Sequence, residues 1–139
     1  MKIKYTLHIA IAALVVTGAV AAQEIITPEQ FDEISTNKTL YFNSGERFHG
    51  AEQYFPNRKV TWKFANGECD QGFWFPQGDA ICFSYTQNPE PQCWNFIQDG
   101  DRFLARLLGG DPANDLELTF VDTKELLCEA PYLGASFAR

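Results

Sequence analysis

The chain has 139 residues, with 18 Asp and Glu against 11 Lys and Arg, and a formal net charge of −7. Nucleic acids and anionic membrane surfaces attract clustered basic residues, so this balance argues against both as partners and leaves a cationic partner open. Four cysteines and twenty aromatic residues (twelve Phe, five Tyr, three Trp) set the remaining character: a small, aromatic-rich chain with an even cysteine count.

Met1-Lys2-Ile3-Lys4 is a short basic segment, and the run from Tyr5 to Val20 is apolar but for His8 and two small polar residues. It closes on Ala19-Val20-Ala21-Ala22, the small-residue pattern of a cleavage site. Together these predict a secretory signal peptide over residues 1–22. A membrane anchor would need roughly 20 apolar residues, and a lipid anchor a cysteine at the boundary. Cleavage leaves a single domain, 23–139, expected to be periplasmic or secreted, monomeric and free of the membrane. Loss of Lys2 and Lys4 leaves 9 basic residues against 18 acidic, a net charge of −9.

The mature chain opens on Thr27-Pro28-Glu29-Gln30, where Thr at N-cap, Pro at N1 and Gln at N3 predict a capping box. A helix of about two turns follows, with Phe31 and Ile34 on its buried face, ending near Asn37-Lys38. From Leu40 the pattern changes to short aromatic and β-branched runs broken every ten residues or so by turn residues. Strands are expected over 40–43, 47–55, 59–65, 68–75, 80–86, 93–98, 102–108 and 116–122. The turns lie at Pro56-Asn57, Asn66-Gly67, Pro76 to Asp79, Asn88 to Pro91, Asp99-Gly100 and Gly109 to Asn114. The fold class is therefore mainly β. An antiparallel meander of about eight strands closes into a small barrel or a curled sheet, with one short N-terminal helix. A two-sheet sandwich is the alternative.

Turn lengths assign faces, because side chains alternate along a strand. With Asn66-Gly67 as a two-residue loop, Phe64 faces Cys69, and the later turns extend that side. One face then collects Val60, Trp62, Phe64, Phe73, Phe75, Cys82, Trp94, Phe96, Phe103 and Leu107. The opposite face carries Thr61, Lys63, Asp70, Arg102 and Arg106, but also Trp74, Ile81, Phe83, Tyr85 and Ile97. The part of this second set left uncovered by the helix or the C-terminal tail is the candidate interaction surface, with Trp74, Phe83 and Tyr85 as its binding residues.

Several elements have a family look: Gly50-x-Glu52-x-Tyr54, Cys69-Asp70-Gln71-Gly72-Phe73-Trp74, Ile81-Cys82-Phe83-Ser84-Tyr85 and Cys93-Trp94. The C-x-x-G-x-W, I-C-F-x-Y and C-W pattern resembles small exported proteobacterial proteins of unknown function, which implies no activity. The Gly-x-Trp hairpins also resemble MORN-type repeats, although their period here is irregular.

Cys69, Cys82, Cys93 and Cys128 predict two disulfides, since exported chains meet an oxidising compartment. The register above favours Cys69–Cys93 and Cys82–Cys128. Their spacings do not suit zinc, the mature chain has one histidine and no methionine, and neither metal nor cofactor is expected. His49 would have to serve any Ser-His-Asp arrangement, and no G-x-S-x-G elbow accompanies it. Glu52 is a candidate general acid and binding residue that would need a second carboxylate, such as Glu68 or Asp70. Gly72 is expected to mark a bulge or a place where a ring lies over the backbone. The aromatic stripe reads first as core and second as the lining of a cavity.

These residues point to a non-catalytic envelope module that binds a protein or cell-wall component, for instance a cationic wall-cleaving enzyme. The alternative is a lipocalin-like carrier of a small apolar ligand, which requires an open barrel mouth and an interior its own rings do not fill. An enzyme, a hydrolase using Glu52 or His49, would require those residues to meet in one cleft with another carboxylate.

Overall fold

The structure, a computed structural model, describes Gly18 and residues 22–129; all but Gly18 and Ala22 of the expected signal peptide lies outside the described residues. The chain runs β1 (Glu24–Ile25), α1 (Pro28–Ser35), β2 (Thr39–Ser44), β3 (Arg47–Tyr54), β4 (Lys59–Phe64), β5 (Cys69–Gln77), β6 (Ala80–Tyr85), β7 (Gln92–Asp99), β8 (Arg102–Leu107) and β9 (Leu116–Asp122). Strands β2 to β9 pair in sequence order, every pair antiparallel, and β9 returns to β2, so the sheet is a closed eight-stranded barrel. The eight expected strands are all present to within two residues. The two-residue β1 was not anticipated from the sequence. It pairs Glu24 and Ile25 with Gln98 and Ile97, on the stretch of β7 beyond the three residues that β6 pairs.

Closure depends on the β8–β9 seam, which has only two paired positions, Leu104↔Glu117 and Ala105↔Leu116. Two bidentate ion pairs reinforce it. Arg106 grips Asp115 at 2.8 and 2.6 Å, and Arg102 grips Glu117 at 3.2 and 3.1 Å. The fork-to-fork geometry makes these more specific than ordinary surface pairs.

Helix α1 forms where its caps dictate. Thr27 accepts from the Gln30 amide at 3.3 Å while Gln30 Oε1 accepts from the Thr27 amide at 2.8 Å, the reciprocal capping box. The helix closes one end of the barrel. Its Phe31 is fully buried and meets Tyr54, Trp74 and Phe83 edge-on and Phe96 at a tilt. At that same end lie the turns after β3, β5 and β7. The other end carries the turns after β2, β4, β6 and β8, the last of which includes a short 3-10 helix over Pro112–Asn114.

Face assignment is where the sequence reading fails, and one residue is the cause. Trp62 pairs with Asp70 and Lys63 with Cys69, while the Phe64 amide donates to the Glu68 carbonyl and the Gly67 amide to the Phe64 carbonyl. The turn is thus a three-residue loop, 65–67, with Gly67 at φ +95°. Such loops end in a left-handed glycine, whereas the expected type I′ turn has two central residues. The extra residue flips β5 and, with it, β6. Asp70, Trp74, Ile81, Phe83 and Tyr85 point into the barrel, and Phe73, Phe75 and Cys82 point out. A second register difference, of three residues at the β6–β7 connection, where Cys82 rather than Tyr85 lies opposite Cys93, is also odd and so restores Trp94, Phe96 and Phe103 to the interior. The outer patch expected from Trp74, Phe83 and Tyr85 therefore does not exist.

The disulfides are corrected for the same reason. They join Cys82 to Cys93, directly opposite on neighbouring strands, and Cys69 to Cys128. With Cys69 facing out, it meets the C-terminal tail, which runs over the outside of β2, β3 and β4. Thr39 Oγ1 donates to the Lys124 carbonyl at 2.7 Å, the Leu126 amide to Gln53 Oε1 at 3.0 Å, and the Glu129 amide to the Gly67 carbonyl at 3.0 Å.

Candidate functional site

The interior divides into two unlike halves. Beside α1 the rings of Phe31, Trp74, Tyr54, Phe83 and Phe96 fill the barrel. Toward the open end they stop short, leaving a cavity of about 280 Å³. Buried Phe83 and Phe96 form its floor, Trp62 and Trp94 its walls, and His49, Phe64, Asn88 and Gln92 its exposed rim. Pockets for drug-sized ligands measure roughly 300–1,000 Å³, so this space, just below that range, suits a smaller ligand.

Two acidic side chains line it, and both are buried: Glu52 is 3% exposed and Asp70 4%. Register explains their meeting. Glu52 on β3 pairs with Trp62 on β4, which pairs with Asp70 on β5. The two carboxyl-bearing residues thus stand on one inward row, two strand spacings or roughly 10 Å apart at the backbone. The neighbouring inward row reads Tyr54, Val60, Gly72, Tyr85. Because the two middle positions are small, the outer tyrosines converge above them. Tyr85 Oη donates to Glu52 Oε1 at 2.6 Å, and Tyr54 Oη donates to Glu52 Oε2 at 3.1 Å. Among the described residues Asp70 accepts only from the backbone amide of Gln87, at 3.0 and 3.3 Å.

Glu52 therefore sits in an apolar cavity with two neutral donors and, among the described residues, no cation beside it. Desolvation dominates, and it lifts the carboxyl to a pKa of about 7, against the opposing pull of the two tyrosine hydrogen bonds. The same burial, and the adjoining carboxylate, hold the Tyr54 and Tyr85 hydroxyls well above their ordinary value, so both remain donors. His49 lies at the rim, its ring 5.9 Å from that of Trp62, and desolvation lowers its pKa, leaving the imidazole neutral at pH 7. Among the described residues lining the cavity there is no Lys and no Arg.

Of the residues singled out in the sequence, Glu52, Phe83, Tyr85, His49 and Asp70 come together here, whereas Trp74 belongs to the closed end, with Arg58 over its ring at 4.7 Å. Glu68 is exposed in the β4–β5 turn. The sequence places Trp62 and Trp94 on the core face rather than at a site. A glycine marks Trp62, since a Cβ at Gly50 would strike its ring, and another marks Tyr85, since a Cβ at Gly72 would strike the Ser84 carbonyl and the Tyr85 ring; no such signal marks Trp94. Gly72 thus does what its sequence context suggests, letting a ring lie over the backbone. Gly72→Ala is expected to cost about 1–3 kcal/mol through overpacking, read as a lower denaturant midpoint. An unchanged midpoint would mean that Tyr85 is not held against this strand.

No family model, no curated protein and no solved structure matches the chain.

Proposed function

We propose that the protein is a non-catalytic, lipocalin-like barrel that carries a small ligand in its interior. The observation that carries this reading is the half-empty barrel: one end is plugged by α1 and its rings, while the other holds a cavity with two buried acids and an exposed rim. Such concave, mostly aromatic spaces with a few placed polar groups are the usual form of small-molecule sites. The protein- or wall-binding reading, the first one from the sequence, took an outer patch of Trp74, Phe83 and Tyr85 as its surface, and those side chains point inward. Two disulfides and the acidic surface remain consistent with an exported carrier.

Native mass spectrometry of the protein purified from its own envelope fraction tests the reading. The expected result is a reproducible extra mass that denaturation releases as a small molecule. A bare protein mass that no small-molecule mixture shifts would overturn it.

One observation favours a second reading. His49, Glu52 and Asp70 border the same cavity, and a carboxyl with a pKa of about 7 is suited to general acid catalysis. Against it, both oxygens of Glu52 already accept a tyrosine hydroxyl, which fixes the group. Turnover of chromogenic glycosides or esters that Glu52→Gln abolishes would replace the carrier with a hydrolase.

A further inference from the structure

We propose that the ligand is a small organic ammonium cation, its nitrogen held between Glu52 and Asp70 and its hydrocarbon against Trp62, Phe83 and Trp94. This rests on the ligand-carrying reading above and names the chemistry of the ligand.

Charge is the first argument. The cavity encloses two carboxyl groups and, among its described lining residues, no lysine or arginine. Buried carboxylates are ordinarily paired with a cation, because an uncompensated one is costly in an apolar interior. Here the partners of Glu52 are two phenols and the partner of Asp70 is one backbone amide. Both acids retain acceptor capacity toward the cavity, since each carboxylate offers about four lone-pair sites.

The walls supply the second argument. Eight of the lining residues are aromatic: Phe42, Tyr54, Trp62, Phe64, Phe83, Tyr85, Trp94 and Phe96. Ring faces attract ammonium groups, more strongly where water is excluded. An anionic ligand would meet two carboxyls and no cation. A neutral apolar ligand would leave both acids desolvated and unanswered.

A third consequence concerns protons. The titratable groups facing Glu52 are Tyr54 and His49 on its own strand, Asp70 on β5 and Tyr85 on β6; β2 and β4 present Leu40 and Trp62 at the paired positions. Tyrosines stay neutral and His49 is neutral at pH 7, so an arriving cation displaces the proton of Glu52. Binding should then strengthen with pH as that carboxyl ionises around pH 7, by about tenfold between pH 6 and 8.

The test uses three six-carbon probes, hexylammonium, hexan-1-ol and hexanoate, titrated into the purified full-length protein while following tryptophan fluorescence and heat. Hexylammonium is expected to bind at least roughly tenfold more tightly than hexan-1-ol, and hexanoate most weakly. Glu52→Gln with Asp70→Asn should erase that preference, and the near-isosteric Glu52→Gln alone should remove the pH dependence should the double variant not fold. Ala105→Leu, which fills the cavity, should block every probe. Equal or tighter binding of hexan-1-ol or hexanoate, a charge preference that survives the double variant, or a pH dependence that survives Glu52→Gln, overturns the ammonium assignment while the carrier reading stands. Failure of all three to bind overturns both.

Discussion

Glu52→Gln is expected to make the protein more stable at pH 8, by about 3 kcal/mol, while leaving it nearly unchanged at pH 4. The carboxyl ionises near 4.5 when exposed and at about 7 in the folded barrel. Folding thus holds the proton more tightly than the unfolded chain does. The stability this group confers is complete below about 4.5 and is lost as pH rises through about 7. Above that range the folded state must keep a bare carboxylate beside aromatic rings. A glutamine has the same shape, can accept one tyrosine hydroxyl and donate to the other, and never ionises. Exposed acids titrate in both proteins, so the difference between their unfolding free energies, measured by denaturant at half-unit pH steps, isolates position 52. Parallel curves from pH 5 to 8 would mean that Glu52 is solvated or paired with a cation in the folded state. The effect bears on function too. A binding site that keeps a destabilising group is stabilised by the ligand that answers it, and a bound cation should flatten the wild-type curve.

How far the sequence leads can be judged at single residues. The strands and the helix with its capping box follow from local patterns: β-branched and aromatic runs, turn residues every ten positions, and Thr27 with Gln30. Local chemistry is sufficient there because each signal acts within a few residues. Closure into a barrel rather than a curled sheet or a sandwich does not follow from them, because it rests on β9 returning to β2. Nor does facing. It depends on whether the loop at Asn66-Gly67 holds two residues or three, and Asn-Gly suits a two-residue turn while Gly67 equally suits the left-handed close of a three-residue one. A difference of one residue moves Trp74 from surface patch to plug and Asp70 from solvent to cavity. It also exchanges the disulfide partners, because Cys69 then faces the C-terminal tail. The site was half legible. Glu52 and Tyr54, two apart on one strand, had to share a face, and Gly72 marked a ring over the backbone. That the ring belongs to Tyr85, which reaches past β5 and β4 to Glu52, depends on barrel curvature and is absent from any local pattern.

Phe31→Ala should be the most damaging single truncation in the molecule, costing about 3–5 kcal/mol. Its ring is the shared neighbour of Tyr54, Trp74, Phe83 and Phe96, with centroids at 5.4, 5.4, 6.5 and 4.3 Å, and no solvent reaches it. These four rings are fixed to different strands of a closed sheet, so they cannot collapse inward to fill the space. The residual cavity, rather than the lost transfer energy alone, then sets the cost. Phe120→Ala is the control: that ring is 56% exposed on the outer surface, and its loss should change stability by no more than about 0.5 kcal/mol. The two variants should also differ in binding. Tyr54, Phe83 and Phe96 line the cavity on one side and pack against Phe31 on the other. Removing the plug loosens the floor of the site and frees Tyr54 from the geometry that holds its hydroxyl on Glu52. Hexylammonium should therefore bind more weakly to Phe31→Ala and unchanged to Phe120→Ala. A Phe31→Ala protein as stable as the Phe120 control would show that α1 is not the plug. Lost stability with full binding would show instead that the two halves of the barrel are independent, the rings beside the helix serving the fold and the cavity standing on its own walls.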